Sequence, residues 1–150
     1  KKWLKEKRLT TKEVKRFSIS SYSANENNFL VKNKDQIKKN IKEKSFELID
    51  ARGRERFLGL QPETRKELRS GNIEDSKNIP FTELLNEDFT FKKKSELISI
   101  FKKNKVDPNK KMTFTCGSGI TACVLGLTSS IIIDKKPVIY DGSWAEYGIK

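Results

Sequence analysis

The residues with the clearest capacity for chemistry lie in one stretch, MTFTCGSGITACVLG, which runs from Met112 to Gly126. A β-branched and aromatic run ends at Cys116, a glycine-rich turn follows, and an apolar run then resumes. Gly117 and Gly119 permit backbone conformations closed to other residues, and such a loop can turn several N–H groups inward as an anion-binding nest. Because helix N-termini and nearby cations favour the thiolate of a cysteine, the stretch predicts a nucleophilic sulfur where a strand hands over to a helix.

Two further residues of this stretch bear on the same prediction. Ser118 supplies a hydroxyl that can donate a hydrogen bond to a sulfur anion. Cys123 lies inside the apolar run, where a free cysteine behaves as a small hydrophobe, and we interpret it as structural. The local pattern leaves a second interpretation of Cys116 open, that of a buried and inert cysteine beside a tight turn.

Cysteine-dependent phosphatases place an arginine six residues after the nucleophile, where it binds the phosphate. That position is Ala122 here, and the loop is also short, since the apolar helix is expected to begin by Ile120 or Thr121. Phosphatase chemistry is therefore disfavoured.

The composition excludes several other kinds of site. The chain of 150 residues has two cysteines and no histidine, so neither a disulfide framework nor a Cys–His or Ser–His pair is available. Metal-ligand spacing is absent, and we expect no metal and no cofactor. No apolar run approaches the roughly 18 residues of a membrane span, so we expect no membrane partner and a cytoplasmic location. The chain begins with Lys, so a true N-terminus could be missing.

The formal net charge of +12 raises the possibility of a nucleic-acid or anionic-membrane partner. We favour a lysine-rich solvated surface instead and expect no nucleic-acid partner, because the basic residues are scattered over the whole chain. Aromatic residues are not interleaved with them on one face, as a base-stacking platform would require. A positive field would still help to collect small anionic substrates.

Strand and helix patterns alternate along the chain, which predicts an α/β domain with a central, mostly parallel sheet flanked by helices. Residues 1–28 are polar and irregular and are interpreted as a connector, and residues 29–150 as the domain. Active sites of open α/β sheets lie at the carboxyl ends of strands. Cys116, Asp50 and Asp141 each close a predicted strand and should meet at that edge. The predicted strands lie near residues 29–31, 46–50, 112–116 and 137–141, with a further short strand that ends at residue 80. The predicted helices lie near 34–43, within 94–105 and near 120–134, with short helical turns near 82–85 and 142–148.

Several blocks occur together in a recognisable order. TCGSGITAC is followed by YDGSWAEYG and preceded by LIDARGRERFLGLQPETRKELRSGNIEDSKNIPFTELL. From about residue 46 to residue 148 the chain closely resembles the C-terminal, catalytic domain of 3-mercaptopyruvate sulfurtransferases, in the rhodanese superfamily. The first 30 or so residues resemble the linker between the two domains of that family.

The resemblance implies a sulfurtransferase that works through a cysteine persulfide. Cys116 would take the sulfur of 3-mercaptopyruvate and release pyruvate, and a thiol such as thioredoxin, another small thiol or cyanide would accept the sulfur. Ser118 matches the family serine thought to assist proton handling. Backbone N–H groups of Gly117, Gly119, Ile120 and Thr121 would cradle the persulfide.

Arg56 and Arg65 match the two arginines of the family that bind the substrate carboxylate. An arginine fork can hold a carboxylate through two parallel hydrogen bonds and stays charged at any relevant pH. Arg52 and Arg54 are close enough in sequence to compete for this role. Arg52, directly after IDA, is interpreted as the structural partner of an acidic group.

The loop also bears on the choice of donor. Members of the family that prefer thiosulfate carry Arg and Lys after the cysteine, whereas the residues after Cys116 are neutral. We therefore expect 3-mercaptopyruvate to be favoured, although the overall positive charge could still assist thiosulfate.

Two departures from the family pattern stand out. Asn72 replaces the histidine of the GHI block, which we interpret as structural and expect to matter little. Family enzymes also have two tandem domains, so we expect an N-terminal rhodanese domain of the same protein as a partner and weak activity of the lone domain. Without the side of the site that this second domain would contribute, Cys116 should be exposed to water and oxidants. The alternative is a non-catalytic rhodanese-like module that binds a partner protein.

Overall fold

The computed structural model describes residues 2–25 and 27–150, and it contains a five-stranded sheet whose pairings are all parallel. The strand order is β1–β5–β4–β2–β3. The strands are β1 (Val31–Lys32), β2 (Glu47–Asp50), β3 (Lys77–Asn78), β4 (Met112–Thr115) and β5 (Ile139–Tyr140). The helices are α1 (Lys2–Lys5), α2 (Lys34–Glu43), α3 (Arg54–Phe57), α4 (Lys94–Lys103), α5 (Ile120–Ile133) and α6 (Ser143–Tyr147), with 3₁₀ turns at Asn28–Leu30 and Phe81–Leu84. The predicted fold class, an α/β domain around a parallel sheet, is confirmed.

Helix α2 has the predicted bounds because its sequence carries its own start signal. The Asn33 side chain accepts a hydrogen bond from the backbone N–H of Gln36, and the Gln36 side chain accepts one from the backbone N–H of Asn33. This capping box satisfies N–H groups that a helix start leaves without partners. Ile37, in the middle of the helix, is fully buried and fixes the face that contacts the sheet.

Two hydrophobic clusters cover the two faces of the sheet. Ile49 belongs to the first, which packs against α4 and α5 through Leu97 and Leu125. Its neighbour Leu48 belongs to the second, together with Trp144 and other residues of α2, β5 and α6. Successive residues of a strand point to opposite faces, so strand β2 contributes to both clusters.

The two central strands end level with each other. In the register of β2 and β4, Asp50 lies opposite Thr115, so the segments that follow both strands emerge at the same edge of the sheet. Those segments begin with Ala51 and Cys116, and both residues are buried.

Helix α5 is apolar along its whole length but is buried on one side only. Ala122, Leu125 and Ile132 face the core. The α5 stripe, which we define as Ile120, Cys123, Leu127 and Ile131, is exposed. The expectation that Cys123 serves as a packed hydrophobe is wrong, because its side chain is exposed and no described residue covers this stripe.

The N-terminal segment contributes little to the domain. The described residues after the short α1 and before the first 3₁₀ turn form no helix or strand, and their side chains are exposed. Lys1 and Glu26, which belong to the predicted connector, lie outside the described residues. The assignment of residues 1–28 as an inter-domain linker stays a prediction. Over the described ranges, no helix combines the length and apolar character needed to cross a membrane.

Candidate active site

Cys116 lies at the carboxyl end of β4, which pairs with β2 on one side and β5 on the other. Its residue surface is 1% exposed, and it belongs to the core cluster that includes Ala122 and Leu125. The expectation that the lone domain would expose Cys116 to water is therefore wrong, because the walls around this sulfur come from the domain itself.

The DGSW block holds the backbone of the cysteine loop. The Ser143 hydroxyl accepts a hydrogen bond from the backbone N–H of Cys116 at 3.1 Å and donates one to the carbonyl of Tyr140 at 2.9 Å. The N–H groups of Trp144 and Ala145 donate to the carbonyls of Cys116 and Gly117, each at 2.9 Å. The start of α6 thereby fixes two consecutive peptide groups of the loop.

These contacts set the direction of the next amides. In a planar trans peptide the N–H points away from the C=O, so the N–H groups of Gly117 and Ser118 are directed away from α6. Within the described part of the chain, no N–H group from Gly117 to Thr121 has a hydrogen-bond acceptor that could satisfy it. The first amides of a helix lack intrahelical partners in any case. The loop after Cys116 therefore presents five consecutive backbone N–H groups without acceptors, an arrangement that is typical of anion-binding sites.

Gly119 is required by the shape of this loop. Its φ of +85° lies in the left-handed region, and a Cβ at this position would lie 2.9 Å from Asp141 Oδ1 and 3.0 Å from the Asp141 carbonyl oxygen. Asp141 closes β5, so the residue after β5 borders the loop after β4, as predicted. Around the rim, Ser118 and Ile120 are exposed and Thr121 is half-buried.

Arg56 is the cation that the fold places beside this loop. A Cβ built on Gly117 would lie 3.5 Å from Arg56 Nη2 and 3.9 Å from Nη1. Nη2 donates to a carboxylate oxygen of Glu63, and the buried Nε has no partner among the described residues. The guanidinium group therefore keeps N–H donors available to a ligand in the loop.

A buried chain of charges holds Arg56 in place. The Arg52 guanidinium donates to Asp50 Oδ2 at 2.8 and 2.9 Å and to Glu63 Oε1 at 2.9 Å, and Glu63 in turn binds Arg56. The side chains of Asp50, Arg52 and Glu63 are each 1% exposed. Burial raises the pKa of the Asp50 carboxyl, while its hydrogen bonds from Arg52 act in the opposite direction. The interpretation of Arg52 as the partner of an acidic group is confirmed.

Glu63 was missed in the sequence analysis. The sequence shows Glu63 only as an acidic residue in the arginine-rich segment between Arg56 and Arg65. Nothing in the local pattern indicates that its side chain is buried.

The other arginines considered for the site are placed elsewhere. Arg65 is exposed in a turn closed by the bond from the Leu68 N–H to the Arg65 carbonyl, and no contact within the described residues joins its side chain to the loop. Arg54 is exposed and pairs with Glu83 at 2.9 Å. The structure thus brings Arg56 to the cysteine loop and leaves the role of Arg65 a prediction.

Asn72, which stands where the family has histidine, has a structural contact. Its side-chain amide donates to the carbonyl of Phe57 at 2.9 Å, at the end of the helix that carries Arg56. Among the described residues, no group of three or more His, Cys, Asp or Glu side chains could hold a metal ion. The polar groups around the loop are mainly N–H donors, which suit an anion.

A parallel α/β domain with a buried cysteine, unpaired loop amides and an adjacent arginine is suited to holding an anion beside the cysteine. Residues 33–150 match the model of the rhodanese-like domain family, and the chain belongs to that family.

Similarity extends to curated proteins and to a solved structure. The chain is 38% identical over 146 residues to the thiosulfate sulfurtransferase of Rattus norvegicus, covering 97% of this chain and 49% of that protein. It is 38% identical over 128 residues to the 3-mercaptopyruvate sulfurtransferase of Mus musculus, covering 85% and 43%. The crystal structure of SseA from Escherichia coli, described as a 3-mercaptopyruvate sulfotransferase, superposes with a TM-score of 0.79 at 30% identity, covering 95% of this chain and 52% of that one.

Two facts follow from these similarities. The chain spans about half the length of the curated relatives that it matches. Relatives named for thiosulfate and for 3-mercaptopyruvate are equally similar to it, so overall identity does not separate the two donors.

Proposed function

We propose that this domain carries the catalytic cysteine of a sulfurtransferase, which moves a sulfane sulfur from a donor to a thiol or cyanide through a persulfide on Cys116. The observation that supports this most directly is the group of five unpaired amides after Cys116 with the Arg56 guanidinium beside them. Unpaired amides and a cation stabilise a negative sulfur without any histidine.

With 3-mercaptopyruvate as donor, the Cys116 thiolate attacks the sulfur of the substrate. A sulfur–sulfur bond forms, the carbon–sulfur bond breaks, and its electron pair passes to the carbon of the leaving group. The proton of the donor thiol ends on that carbon, which becomes the methyl group of pyruvate. Cys116 is left as a persulfide anion. The amides of Gly117, Gly119, Ile120 and Thr121 stabilise its outer sulfur, and the Ser118 hydroxyl assists the proton transfer.

Arg56 binds the carboxylate of the substrate through the N–H groups that its contact with Glu63 leaves free. Two parallel hydrogen bonds from one guanidinium group would orient the substrate so that its sulfur faces Cys116. Arg65 is the second carboxylate ligand in this proposal. Its exposed position in a surface turn means that it would reach the substrate from the open side of the site.

In the second half of the reaction, an acceptor thiolate attacks the outer sulfur of the persulfide. The sulfur–sulfur bond to Cys116 breaks, and the electron pair returns to the Cys116 thiolate. A thiol protein such as thioredoxin, a small thiol or cyanide can serve as the acceptor. No cofactor enters either half-reaction.

The neutral loop favours 3-mercaptopyruvate over thiosulfate. Thiosulfate is a dianion, and the four residues after Cys116 add no positive charge. Arg56 supplies a guanidinium group next to the loop, which can bind the carboxylate of an α-keto acid.

An N-terminal rhodanese domain of the same protein is the proposed partner of the α5 stripe. The stripe begins at Ile120, beside the cysteine loop, and continues along α5 as far as Ile131. Contiguous exposed apolar surface of this kind marks an interaction site. The curated relatives are about twice as long as this chain, which leaves room for a second domain. A second domain that covers this stripe would also close the site. A cytoplasmic location and the absence of a nucleic-acid partner also stay predictions.

The test uses the full-length protein that carries this domain, as the parent and as Cys116→Ser and Cys123→Ser variants. After exposure to 3-mercaptopyruvate, intact-mass measurement should show one added sulfur atom on the parent and on Cys123→Ser, with stoichiometric pyruvate. Cys116→Ser should show neither. If the parent gains no sulfur, the non-catalytic interaction module is the better description; if Cys116→Ser still gains sulfur, the assignment of the nucleophile is wrong.

The role of Arg56 is tested with a matched pair. Arg56→Lys keeps the charge but loses the fork, and we expect KM for 3-mercaptopyruvate to rise about tenfold or more with a smaller effect on kcat. Arg54→Lys, on the same helix but exposed and paired with Glu83, should leave KM unchanged. Equal effects of the two substitutions would contradict the role proposed for Arg56.

A further inference from the structure

A cavity of about 500 Å³ lies at the edge of the sheet opposite Cys116. Its walls are α2, the start of β4, the end of α5 and the segment before β5. Strand β4 runs from this cavity towards the cysteine loop, and Met112, at its start, is about 13 Å from Cys116 along the strand. A volume of this size is within the range of small-molecule sites.

Charge is concentrated around this cavity. One acidic side chain, Glu43, is among the residues that line it, and no arginine is. Six lysines line it: Lys32, Lys39, Lys110, Lys111, Lys135 and Lys136. Lys39 pairs with Glu43 at 3.4 Å and Lys110 with Glu47 at 3.8 Å. The other four lysines have no carboxylate partner among the described residues.

The type of cation indicates the type of anion. Arginine is the usual partner where a carboxylate is bound through two parallel bonds, whereas lysine binds phosphate oxygens as a point charge. Several lysines and no arginine around one cavity therefore favour a ligand with more than one phosphate.

The floor of the cavity is apolar and includes the half-buried side chains of Phe46, Ile133, Pro137 and Val138. An inorganic phosphate would leave the floor in contact with water. A ligand with an apolar or aromatic body would cover the floor.

We propose that this cavity binds a small organic phosphate, with two or more phosphates held by the lysines and an apolar or aromatic body against the floor. A nucleoside triphosphate is the simplest compound with this chemistry. This site is separate from the proposed sulfur-transfer site, because neither an arginine nor any residue from Cys116 to Thr121 lines it.

The test uses ATP as the probe, without added metal, and measures binding by calorimetry and by backbone amide shifts in NMR. ATP should shift the amides of Thr113 and Val138 and leave those from Gly117 to Thr121 unchanged. Lys135→Glu with Lys136→Glu should weaken binding about tenfold or more. Lys12→Glu with Lys15→Glu makes the same change in net charge at exposed positions outside the cavity and should weaken it much less. Cys116→Ser should bind ATP as well as the parent, so the result does not depend on sulfur transfer.

Three outcomes would overturn the proposal. Equal weakening by the two lysine pairs would show a general effect of charge rather than a site. Tripolyphosphate binding as tightly as ATP would show that the apolar floor contributes nothing. Tight binding of a single-stranded RNA, with no binding of ATP, would indicate a nucleic-acid surface.

Discussion

The hydroxyl of Ser143 and the backbone N–H of Cys116 are joined by a hydrogen bond of 3.1 Å, although the residues lie 27 positions apart. Ser143 is fully buried, and the same oxygen accepts from the Thr115 hydroxyl at 3.3 Å and donates to the Tyr140 carbonyl at 2.9 Å. One serine thus ties the strand that carries the cysteine to the strand beside it.

Ser143→Ala leaves the Cys116 N–H without an acceptor. We expect a loss of about 1–3 kcal/mol in the free energy of unfolding, the typical cost of an unsatisfied buried donor, and a larger relative loss of persulfide formation. Denaturant unfolding and mass spectrometry measure the two effects. Ser129→Ala is the control, because Ser129 is also buried but its hydroxyl bonds only to Gly126 within α5. Comparable loss of persulfide in both variants would contradict the role given to Ser143.

Gly119→Ala should distort the cysteine loop. Its positive φ costs a non-glycine residue about 1–3 kcal/mol, and the new Cβ would meet the Asp141 carboxylate and carbonyl. We expect sulfur transfer to fall more than stability, since the amides after Cys116 move. Gly53→Ala is the matched control, because its φ is −54° and no atom lies within 4 Å of a Cβ there. An active Gly119→Ala protein would show that this loop tolerates another shape.

Glu63→Gln tests the buried charge chain. The substitution removes the carboxylate shared by Arg52 and Arg56, and we expect a loss of about 3 kcal/mol of stability. Because Arg56 is no longer held, KM for 3-mercaptopyruvate should rise more than kcat falls, which a merely structural role would not produce. Glu83→Gln is the control, because it removes the exposed partner of Arg54. It should lower the free energy of unfolding by less than about 1 kcal/mol and leave KM unchanged.

The protonated Tyr140 phenol makes the folding stability of the domain decrease at alkaline pH. Burial and the hydrogen bond to the Glu146 carboxylate raise the pKa of Tyr140 well above its ordinary value of 10.0. The folded chain therefore keeps the phenol protonated where the unfolded chain ionises, so this stabilisation is complete below about pH 10 and is lost as the pH rises further. Unfolding free energies at about pH 9 and about pH 11 should differ more for the parent than for Tyr140→Phe. Tyr22→Phe, at a position 91% exposed, should retain the full decrease.

Much of the fold was predictable because the signals were local. Ile37 and Ile41 lie four residues apart, the spacing of one helix face, within the range where α2 forms. The apolar runs FELID and MTFTC are typical of strands covered on both faces, and β2 and β4 form there. The carboxyl ends of β2 and β4 met at one edge, as parallel pairing requires.

Other features depend on contacts between distant segments, which no local pattern contains. Burial of Cys116 arises from the residues of α5 and α6 around it, and exposure of Cys123 arises from the absence of a described neighbour over the α5 stripe. The bond between Glu63 and Arg56 is of the same kind, since both residues read as surface charges in sequence. The proximity of Arg56 to the loop was predicted only through the family resemblance.

The sheet order has a consequence for the chain during its synthesis. Strand β5 lies between β1 and β4, so β1 has no neighbour in the sheet until residues 139–140 have left the ribosome. The serine that fixes the cysteine loop emerges later still. A nascent chain therefore displays an open strand edge and an unorganised thiol for most of its translation. The proposed sulfur loading of Cys116 would begin only after the domain is completed.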